Sequence, residues 1–209
     1  MTFNRVAPFY EIGEKFFFGN RLELARTVFA EKFKHSRNVL LLGEGRGSFL
    51  NQLLKINKFC NVTVVDSSSR MIQFQKIKIS KENSKRVNFI CSPLEYFIST
   101  EEFDLICSFF FWDCFVSEQM NHLIAKCSQF LQKGGFWVNG DFEDIKSFKN
   151  GLNFLKIRLM YIFFHLTTGI SAWNVEPFRK YAKSNALESL EIKKIEENFI
   201  HTELFQKLI

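Results

Sequence analysis

Three glycines and one aspartate carry the clearest chemical signal in the sequence. Residues 38–55 read NVLLLGEGRGSFLNQLLK, so an apolar run enters a turn with Gly43, Gly45 and Gly47 at every second position, and a helical pattern follows. Such a turn lets the backbone come close to a ligand, and the next helix offers free N–H groups. Asp66 ends the following apolar run, where its carboxylate can accept hydrogen bonds from a ribose diol. The pattern predicts a nucleotide-binding site.

The elements that must position these residues alternate along the chain. Helical patterns precede and separate five short apolar runs, and continuous hydrophobicity is typical of strands that are covered on both faces. We therefore predict an α/β fold, a Rossmann-like, doubly wound and mostly parallel seven-stranded sheet with N-terminal helices and a C-terminal antiparallel hairpin. The helix before the fifth strand is expected to close at Gly134 and Gly135. The predicted strands are residues 38–42, 62–65, 87–91, 103–110, 136–141, 189–199 and 201–208.

The sequence predicts a single domain. Its 209 residues are 46% hydrophobic, contain three prolines and show no linker-like segment. We divide the domain into an N-terminal helical cap (1–36), a cofactor-binding core (37–142) and a lid helix with closing strands (143–209). The most apolar segment, residues 154–166, is shorter than the roughly 18 apolar residues of a membrane-spanning helix. We expect it to be a buried or lid helix and expect no transmembrane segment.

Charge and cysteine content argue against several other classes. The net charge of +6 comes from one patch, residues 55–86, with eight basic residues against two acids, whereas residues 87–142 have two against seven. Because no aromatic or glycine-rich pattern interleaves these lysines, we do not expect nucleic-acid binding. The five cysteines form no CxxC pair. They are typical of reduced core residues in a cytoplasmic protein, with neither a metal site nor a disulfide.

Two nucleotide classes fit the glycine turn. The dinucleotide fingerprint is GxGxxG or GxGxxA, but here Ser48 stands at its third position and Gly47 lies one place early. The spacing GxGxG is the form that binds S-adenosylmethionine. An NAD(P)-dependent oxidoreductase stays open as an alternative, although no TyrxxxLys pair follows a strand end.

At these motifs the sequence resembles the class I S-adenosylmethionine-dependent methyltransferases, over most of the chain. VLLLGEGRG and VVDSSSRMI resemble the first and second family motifs, and RVNFICSPLEYF, FDLICSFFFWDCF and LQKGGFWVNGDF occupy the next three. The opening FNRVAPFYEIGEKFFFGNRL is similar to the ubiquinone/menaquinone C-methyltransferase group, in which a tyrosine matching Tyr10 caps the cofactor. The family lacks a fixed acceptor, and the NPPY-type tetrad of adenine methylation is replaced here by FFWD.

The resemblance implies S-adenosyl-L-methionine as cofactor and a set of binding residues. Two positions depart from the family: Leu41 stands where an acid is common, which Glu44 is expected to replace, and Ser92 and Pro93 stand where another acid is common. These departures leave open a non-catalytic binding or scaffold protein of the same fold. The expected cofactor-binding residues are Tyr10, Gly43, Glu44, Gly45, Gly47, Asp66, Ser67, Ser68, Met71, Ser92, Pro93, Leu94 and Phe109.

Methyl transfer needs few fixed catalytic groups, because the protein mainly aligns two partners and removes a proton. Asp113, Tyr10 and His165 are the candidate catalytic residues. Asp113 follows FFFW and can face the cleft, although a turn aspartate with local hydrogen bonds fits equally. His165 precedes LTTGISAW, where a substrate lid lies in this family, although a structural histidine is the simpler interpretation.

Acidic residues at the end of the fifth strand raise the question of a metal. Asp113 and Asp141 could share a magnesium ion, but we expect solvated acids there, together with Glu143 and Asp144, and no metal site. The sequence thus predicts methyl transfer from S-adenosylmethionine to the oxygen or carbon of a small hydrophobic molecule, such as a quinone, polyketide or acyl chain. It does not predict the oligomeric state.

Overall fold

The computed structural model describes residues 3–5, 7–8, 10–143, 151–170, 172–173, 175–196 and 199–208. Within them, one sheet forms the centre of the molecule. Its strands are β1 (Asn38–Leu42), β2 (Asn61–Asp66), β3 (Val87–Cys91), β4 (Phe103–Phe109), β5 (Leu131–Phe142), β6 (Leu187–Glu196) and β7 (Ile200–Lys207).

The strand order is β3-β2-β1-β4-β5-β7-β6. The first five strands are parallel, and β7 lies antiparallel between β5 and β6. This arrangement confirms the predicted fold class, including the closing hairpin. The strand order reverses between β1 and β4, and ligands of doubly wound sheets bind beyond the carboxyl ends of the strands at such a reversal.

Helices cover both faces of the sheet. Successive side chains of a strand point to opposite faces, so Val39 and Leu41 of β1 enter one hydrophobic core while Leu40 and Leu42 enter the other. The helices are α1 (Tyr10–Phe18), α2 (Arg21–Thr27), α3 (Ser48–Ile56), α4 (Ser69–Lys78), α5 (Lys81–Ser84), α6 (Ser117–Phe130), α7 (Gly151–Thr168) and α8 (Arg179–Ala182), with 3-10 turns at Ala30–Phe33, Leu94–Tyr96, Trp112–Cys114 and Lys183–Asn185.

Two predicted helices differ from those in the structure. Helix α6 ends at Phe130, because Leu131 adopts extended backbone and pairs with Phe103 of β4. Gly134 and Gly135 therefore lie inside β5, where they follow an irregularity in the strand register, and do not end a helix. The pattern PLEYFI also forms less helix than expected, since only one 3-10 turn is present there.

Helix α7 is buried on one face rather than all round. Met160 and Tyr161 face the core, whereas Leu155, Ile162 and Phe163 are about half exposed. Within the described part of the chain, nothing covers the side chains of this second group. Among the described residues, no helix combines the length and apolarity that a membrane crossing requires. The division into cap, core and lid stays a prediction.

Candidate functional site

The glycine turn after β1 has a backbone that favours glycine at each of its three positions. Gly43, Gly45 and Gly47 have φ angles of +59°, +60° and +81°, in the left-handed region where a Cβ is strained. Space is also short: a Cβ on Gly43 would lie 2.2 Å from Phe111 Cδ2, and one on Gly47 would lie 3.1 Å from Gln75 Cα. The backbone of the turn therefore packs directly against Phe111 and Gln75, which leaves little room for side chains at Gly43 and Gly47.

Asp66 and Gln75 join the turn to the end of β2. The Asp66 Oδ1 atom accepts a hydrogen bond of 2.8 Å from the Ser68 N–H, and the Gln75 side chain supports the same carboxylate. The Gln75 amide also donates to the Gly45 carbonyl at 2.8 Å. Burial raises the pKa of Asp66 to about 6. Sequence analysis missed Gln75, although a polar residue four places after the buried Met71 signals a polar contact on an apolar helix face.

A cavity opens at the carboxyl ends of β1 and β2, and we call it the glycine-turn cavity. It is lined by nine of the residues that the sequence analysis selected: Tyr10, Gly43, Gly45, Asp66, Ser67, Met71, Ser92, Pro93 and Leu94. Its remaining lining residues, which sequence analysis did not select, are Phe3, Val65, Glu95, Phe110, Phe111, Cys114 and Phe115. The run FFFWDCF after β4 supplies most of these.

A second cavity of about 400 Å³ adjoins the first, and we call it the aromatic pocket. Helices α1 and α7 and the turn after β4 enclose it, and more than half of its lining residues are Phe or Tyr. Phe3, Tyr10, Phe110 and Cys114 line both cavities. The two cavities therefore meet at a shared wall, which is the arrangement that two reacting molecules require.

Asp113 brings a carboxylate into the aromatic pocket. It is 6% exposed, and its Oδ1 atom accepts a hydrogen bond of 3.5 Å from the Cys114 thiol. The Tyr161 hydroxyl donates to the Asp113 carbonyl at 3.2 Å and fixes the turn. Burial raises the pKa of the Asp113 carboxyl to about 6.

Asp141 lies close enough to Asp113 for the two carboxyls to influence each other. Burial, and then the charge of Asp113, raise the pKa of Asp141 well above its ordinary value, and its Oδ2 atom has no hydrogen-bond partner among the described residues. Glu143 instead approaches the His201 Nδ1 atom at 3.3 Å, and Asp144 lies outside the described residues. Across those residues, no three potential ligands gather to hold a metal ion.

The N-terminal segment covers both cavities. The Tyr10 ring stacks on Phe164 with centroids 6.1 Å apart, and Phe3 meets both rings edge-on. The Asn4 Oδ1 atom accepts hydrogen bonds from the Ser68 hydroxyl at 2.8 Å and the Arg70 N–H at 3.2 Å. Burial, and then the charge of Glu14, raise the pKa of the Tyr10 phenol well above its ordinary value. Tyr10 is therefore a neutral wall residue at physiological pH.

Glu44, Gly47 and Ser68, which were expected to bind the cofactor, are not among the residues that line the glycine-turn cavity. The Glu44 Oε1 atom accepts a hydrogen bond of 2.9 Å from the Leu50 N–H, at the start of α3, and burial raises the pKa of Glu44 to about 7. The Ser68 hydroxyl accepts from the Met71 N–H at 3.2 Å and caps α4. Gly47 supports the turn against Gln75.

Phe109 and His165 also lie outside both cavities. Phe109, at the end of β4, packs against Phe49 in the core with ring centroids 4.9 Å apart. The chain then turns at Phe110, whose φ of +53° sends the next side chains to the cavities. The His165 Nδ1 atom lies 2.8 Å from the Ile170 carbonyl oxygen, and its exposed ring packs on Trp173.

Comparisons with known proteins agree with this geometry. Residues 39–135 match the family described as "Methyltransferase domain", the segment that holds the glycine turn, Asp66 and the turn after β4. No curated protein matches the chain significantly.

Solved structures share the fold of nearly the whole chain. The N-methyltransferase NodS from Bradyrhizobium japonicum WM9 is 18% identical with a TM-score of 0.66, over 91% of this chain and 98% of that one. The 1,6-didemethyltoxoflavin-N1-methyltransferase of Burkholderia thailandensis, solved with bound 1,6-didemethyltoxoflavin and S-adenosylhomocysteine, is 12% identical with a TM-score of 0.69, over 98% of this chain and 85% of that one. The mitomycin 7-O-methyltransferase MmcR is 11% identical with a TM-score of 0.74, over 99% and 61%. At such identities the likeness concerns the fold.

Proposed function

We propose that this chain, a class I S-adenosylmethionine-dependent methyltransferase, methylates a small apolar molecule held in the aromatic pocket. S-adenosylmethionine is the methyl donor, and when bound it supplies an electrophilic methyl group on a sulfonium. The chain then has three tasks: to align the acceptor with that methyl group, to keep water away and to receive a proton. The likeness of the N-terminus to the ubiquinone/menaquinone C-methyltransferase group stays a prediction.

The glycine-turn cavity suits the donor. Asp66 accepts hydrogen bonds from the two ribose hydroxyls, and the turn at Gly43 and Gly45 leaves its backbone open to the methionine part. Apolar and small side chains around Met71 and residues 92–94 suit the flat adenine. Two features support this assignment. The turn at Gly43 and Gly45 exposes its backbone in the cavity, and Asp66 at the end of β2 places a carboxylate in the same cavity.

The observation that carries the proposal is the wall that the two cavities share at Tyr10 and Phe110. A donor in the first cavity and an acceptor in the second meet at this wall. The aromatic lining selects an apolar acceptor and excludes water, which strengthens the electrostatic interactions inside. Asp113 is the proton acceptor, because it is the buried carboxylate that lines the acceptor cavity without an ion-pair partner among the described residues.

Two variants test these assignments separately. Asp66→Ala is expected to weaken binding of S-adenosylmethionine and S-adenosylhomocysteine about tenfold or more, because the ribose loses a charge-assisted partner. Asp113→Asn is expected to keep that affinity and to lose methyl transfer. Glu118→Ala, on the exposed face of α6, is the control. Unchanged affinity in Asp66→Ala, measured by calorimetry, contradicts the donor site.

The same titration distinguishes a methyltransferase from a non-catalytic protein of the same fold. A binding or scaffold protein of this fold predicts either no cofactor affinity or binding without turnover on any acceptor. The departures at Leu41, Ser92 and Pro93 were the reason for that alternative. Leu41 is buried in the core, and Ser92 and Pro93 line the glycine-turn cavity. The sequence predicted that an oxygen or carbon atom receives the methyl group. The charged groups around the aromatic pocket also influence which atom this is.

A further inference from the structure

The charged groups of the aromatic pocket are unevenly distributed. Glu14 and Asp113 line it, and among its described lining residues there is no lysine, arginine or histidine. The Glu14 carboxylate is engaged by Arg26, whose Nη2 and Nη1 atoms lie 2.5 and 3.4 Å from the two carboxylate oxygens. This two-point contact neutralises Glu14.

Asp113 has no such partner. Its side chain receives one weak hydrogen bond, from the Cys114 thiol, and no ion pair reaches it within the described part of the chain. The aromatic pocket therefore carries one uncompensated negative charge against a wall of aromatic rings. Burying an unpaired carboxylate is costly, so a ligand that brings a positive charge recovers that cost.

We propose that the methyl acceptor is a lipophilic amine, an apolar molecule with one basic nitrogen placed at Asp113. This inference rests on the proposed function and replaces the oxygen or carbon acceptor that the sequence suggested. The aromatic rings hold the apolar body of the acceptor, and their faces also attract its cationic nitrogen.

The charge changes of the reaction favour nitrogen in this pocket. The bound ammonium gives one proton to the Asp113 carboxylate, and the freed lone pair on nitrogen attacks the methyl carbon. A C–N bond forms as the C–S bond breaks, the electron pair of that bond goes to sulfur, and the product leaves as a methylated ammonium. Burial raises the pKa of Asp113 to about 6, which makes its carboxylate a better proton acceptor than an exposed one.

An oxygen acceptor fits the same pocket less well. A neutral phenol brings no positive charge to the Asp113 carboxylate, and the anion that it forms on losing its proton meets no lysine, arginine or histidine among the described lining residues. With an amine, the bound ammonium lies beside the ionised Asp113 carboxylate before the proton moves. Coulombic attraction in a water-poor cavity therefore favours binding of the amine in the ground state.

A pair of matched probes tests the inference by binding. Calorimetry measures 1-naphthylmethylamine and 1-naphthalenemethanol on protein saturated with S-adenosylhomocysteine, at pH 7.5, in the wild type, in Asp113→Asn and in the control Glu118→Gln. The amine is expected to bind about tenfold or more tightly than the alcohol in the wild type and the control. In Asp113→Asn the ratio is expected to fall to near one.

The outcomes separate this inference from the proposed function. An alcohol that binds as tightly as the amine in the wild type overturns the amine assignment, and so does millimolar or weaker binding of both. A ratio that survives Asp113→Asn, with S-adenosylhomocysteine affinity intact, also overturns it. Failure of the wild type to bind S-adenosylhomocysteine at all instead contradicts the proposed function.

Discussion

Comparison of Gly43 with Gly134 separates the effect of backbone strain from the effect of a close contact at the cavity. Gly43 and Gly134 both have positive φ, +59° and +73°, but a Cβ on Gly134 meets nothing within 4 Å while one on Gly43 strikes Phe111. Alanine at either position carries the strain of about 1 to 2 kcal/mol that a left-handed backbone imposes. We expect Gly43→Ala to weaken S-adenosylmethionine binding tenfold or more, because the Phe111 ring must move into the cavity that it lines.

Gly134→Ala is the matched control for this prediction. It is expected to lower the free energy of unfolding by a similar amount and to leave the affinity unchanged, because Gly134 lies in β5, away from both cavities. Calorimetric titration and urea unfolding of the two variants provide the comparison. Equal affinities in both variants contradict the close approach at Gly43.

The Asp66 carboxylate makes donor binding depend on pH. Burial raises its pKa to about 6, and an ionised carboxylate accepts stronger hydrogen bonds from ribose than a protonated one. Affinity is therefore complete above this pKa and is lost as the pH falls through it. We expect the dissociation constant to rise about fivefold to tenfold from pH 7.5 to pH 5. Asp66→Asn should show weak affinity and little of this dependence; an equal dependence in the variant contradicts the role of Asp66.

Residue types and spacing were sufficient to predict part of the lining of the glycine-turn cavity. Gly43, Gly45 and Asp66 could be identified because the turn and the acid follow strands at an expected separation, and both line one cavity. The direction of Glu44 could not be read from its position, because the start of α3 offered its carboxylate a closer donor, the Leu50 N–H. Phe109 does not line the cavity because its ring packs on Phe49 in the core, and the side chains that do line it follow from Phe110, where the backbone has a positive φ.

Among the structural elements, the N-terminal segment covers the two cavities, and we call its described residues (3–5, 7–8 and 10) the strap. Asn4 connects it to the start of α4, and the Arg46 guanidinium donates to the Pro8 carbonyl at 3.0 Å. Asn4→Ala removes the acceptor of the Ser68 hydroxyl and the Arg70 N–H. We expect S-adenosylmethionine affinity to fall about threefold to tenfold, because Phe3 and Tyr10 then cover the donor less tightly.

The stability of Asn4→Ala is expected to change little, since the strap contributes few of the core contacts. Asn121→Ala, on the exposed surface of α6, is its control. Titration of both variants, with thermal unfolding of each, gives the two readouts. Affinity equal to that of the wild type contradicts the strap.

The elements were predictable where hydrophobicity was continuous, and less so where tertiary contacts decided the boundary. Strands β1 to β4 follow their apolar runs closely. Helix α6 stops early because Leu131 pairs with β4, a contact that local sequence does not encode. The outer face of α7 is equally apolar in sequence and is left exposed by its place at the edge of the fold.

At the scale of the whole molecule, buried acids set the pH dependence of stability. Burial raises the pKa of Glu44 from 4.5 to about 7, and it raises those of Asp66, Asp113 and Asp141 in the same direction. The folded protein thus holds protons that the unfolded chain releases. The stability that these four groups contribute is therefore fully present below their unfolded pKa values and, for Glu44, is lost as the pH rises through about 7.

Glu44→Gln isolates the contribution of Glu44 to this pH dependence. The glutamine keeps an acceptor for the Leu50 N–H but does not ionise, so we expect the loss of stability between pH 5 and pH 8 to shrink by about 2 to 3 kcal/mol. Urea unfolding at the two pH values measures this difference. Glu118→Gln should leave the loss unchanged, and an unchanged loss in Glu44→Gln contradicts the burial of that carboxylate.

Two cavities meet at one end of the sheet, and we propose that S-adenosylmethionine binds in the first of them. The most direct measurement is calorimetric titration of the purified protein with S-adenosylmethionine, S-adenosylhomocysteine and NADH in parallel. We expect micromolar binding of the first two and no binding of NADH, with the affinity for both ligands weakened tenfold or more in Gly43→Ala. NADH binding alone, or no binding of any of the three, contradicts this expectation.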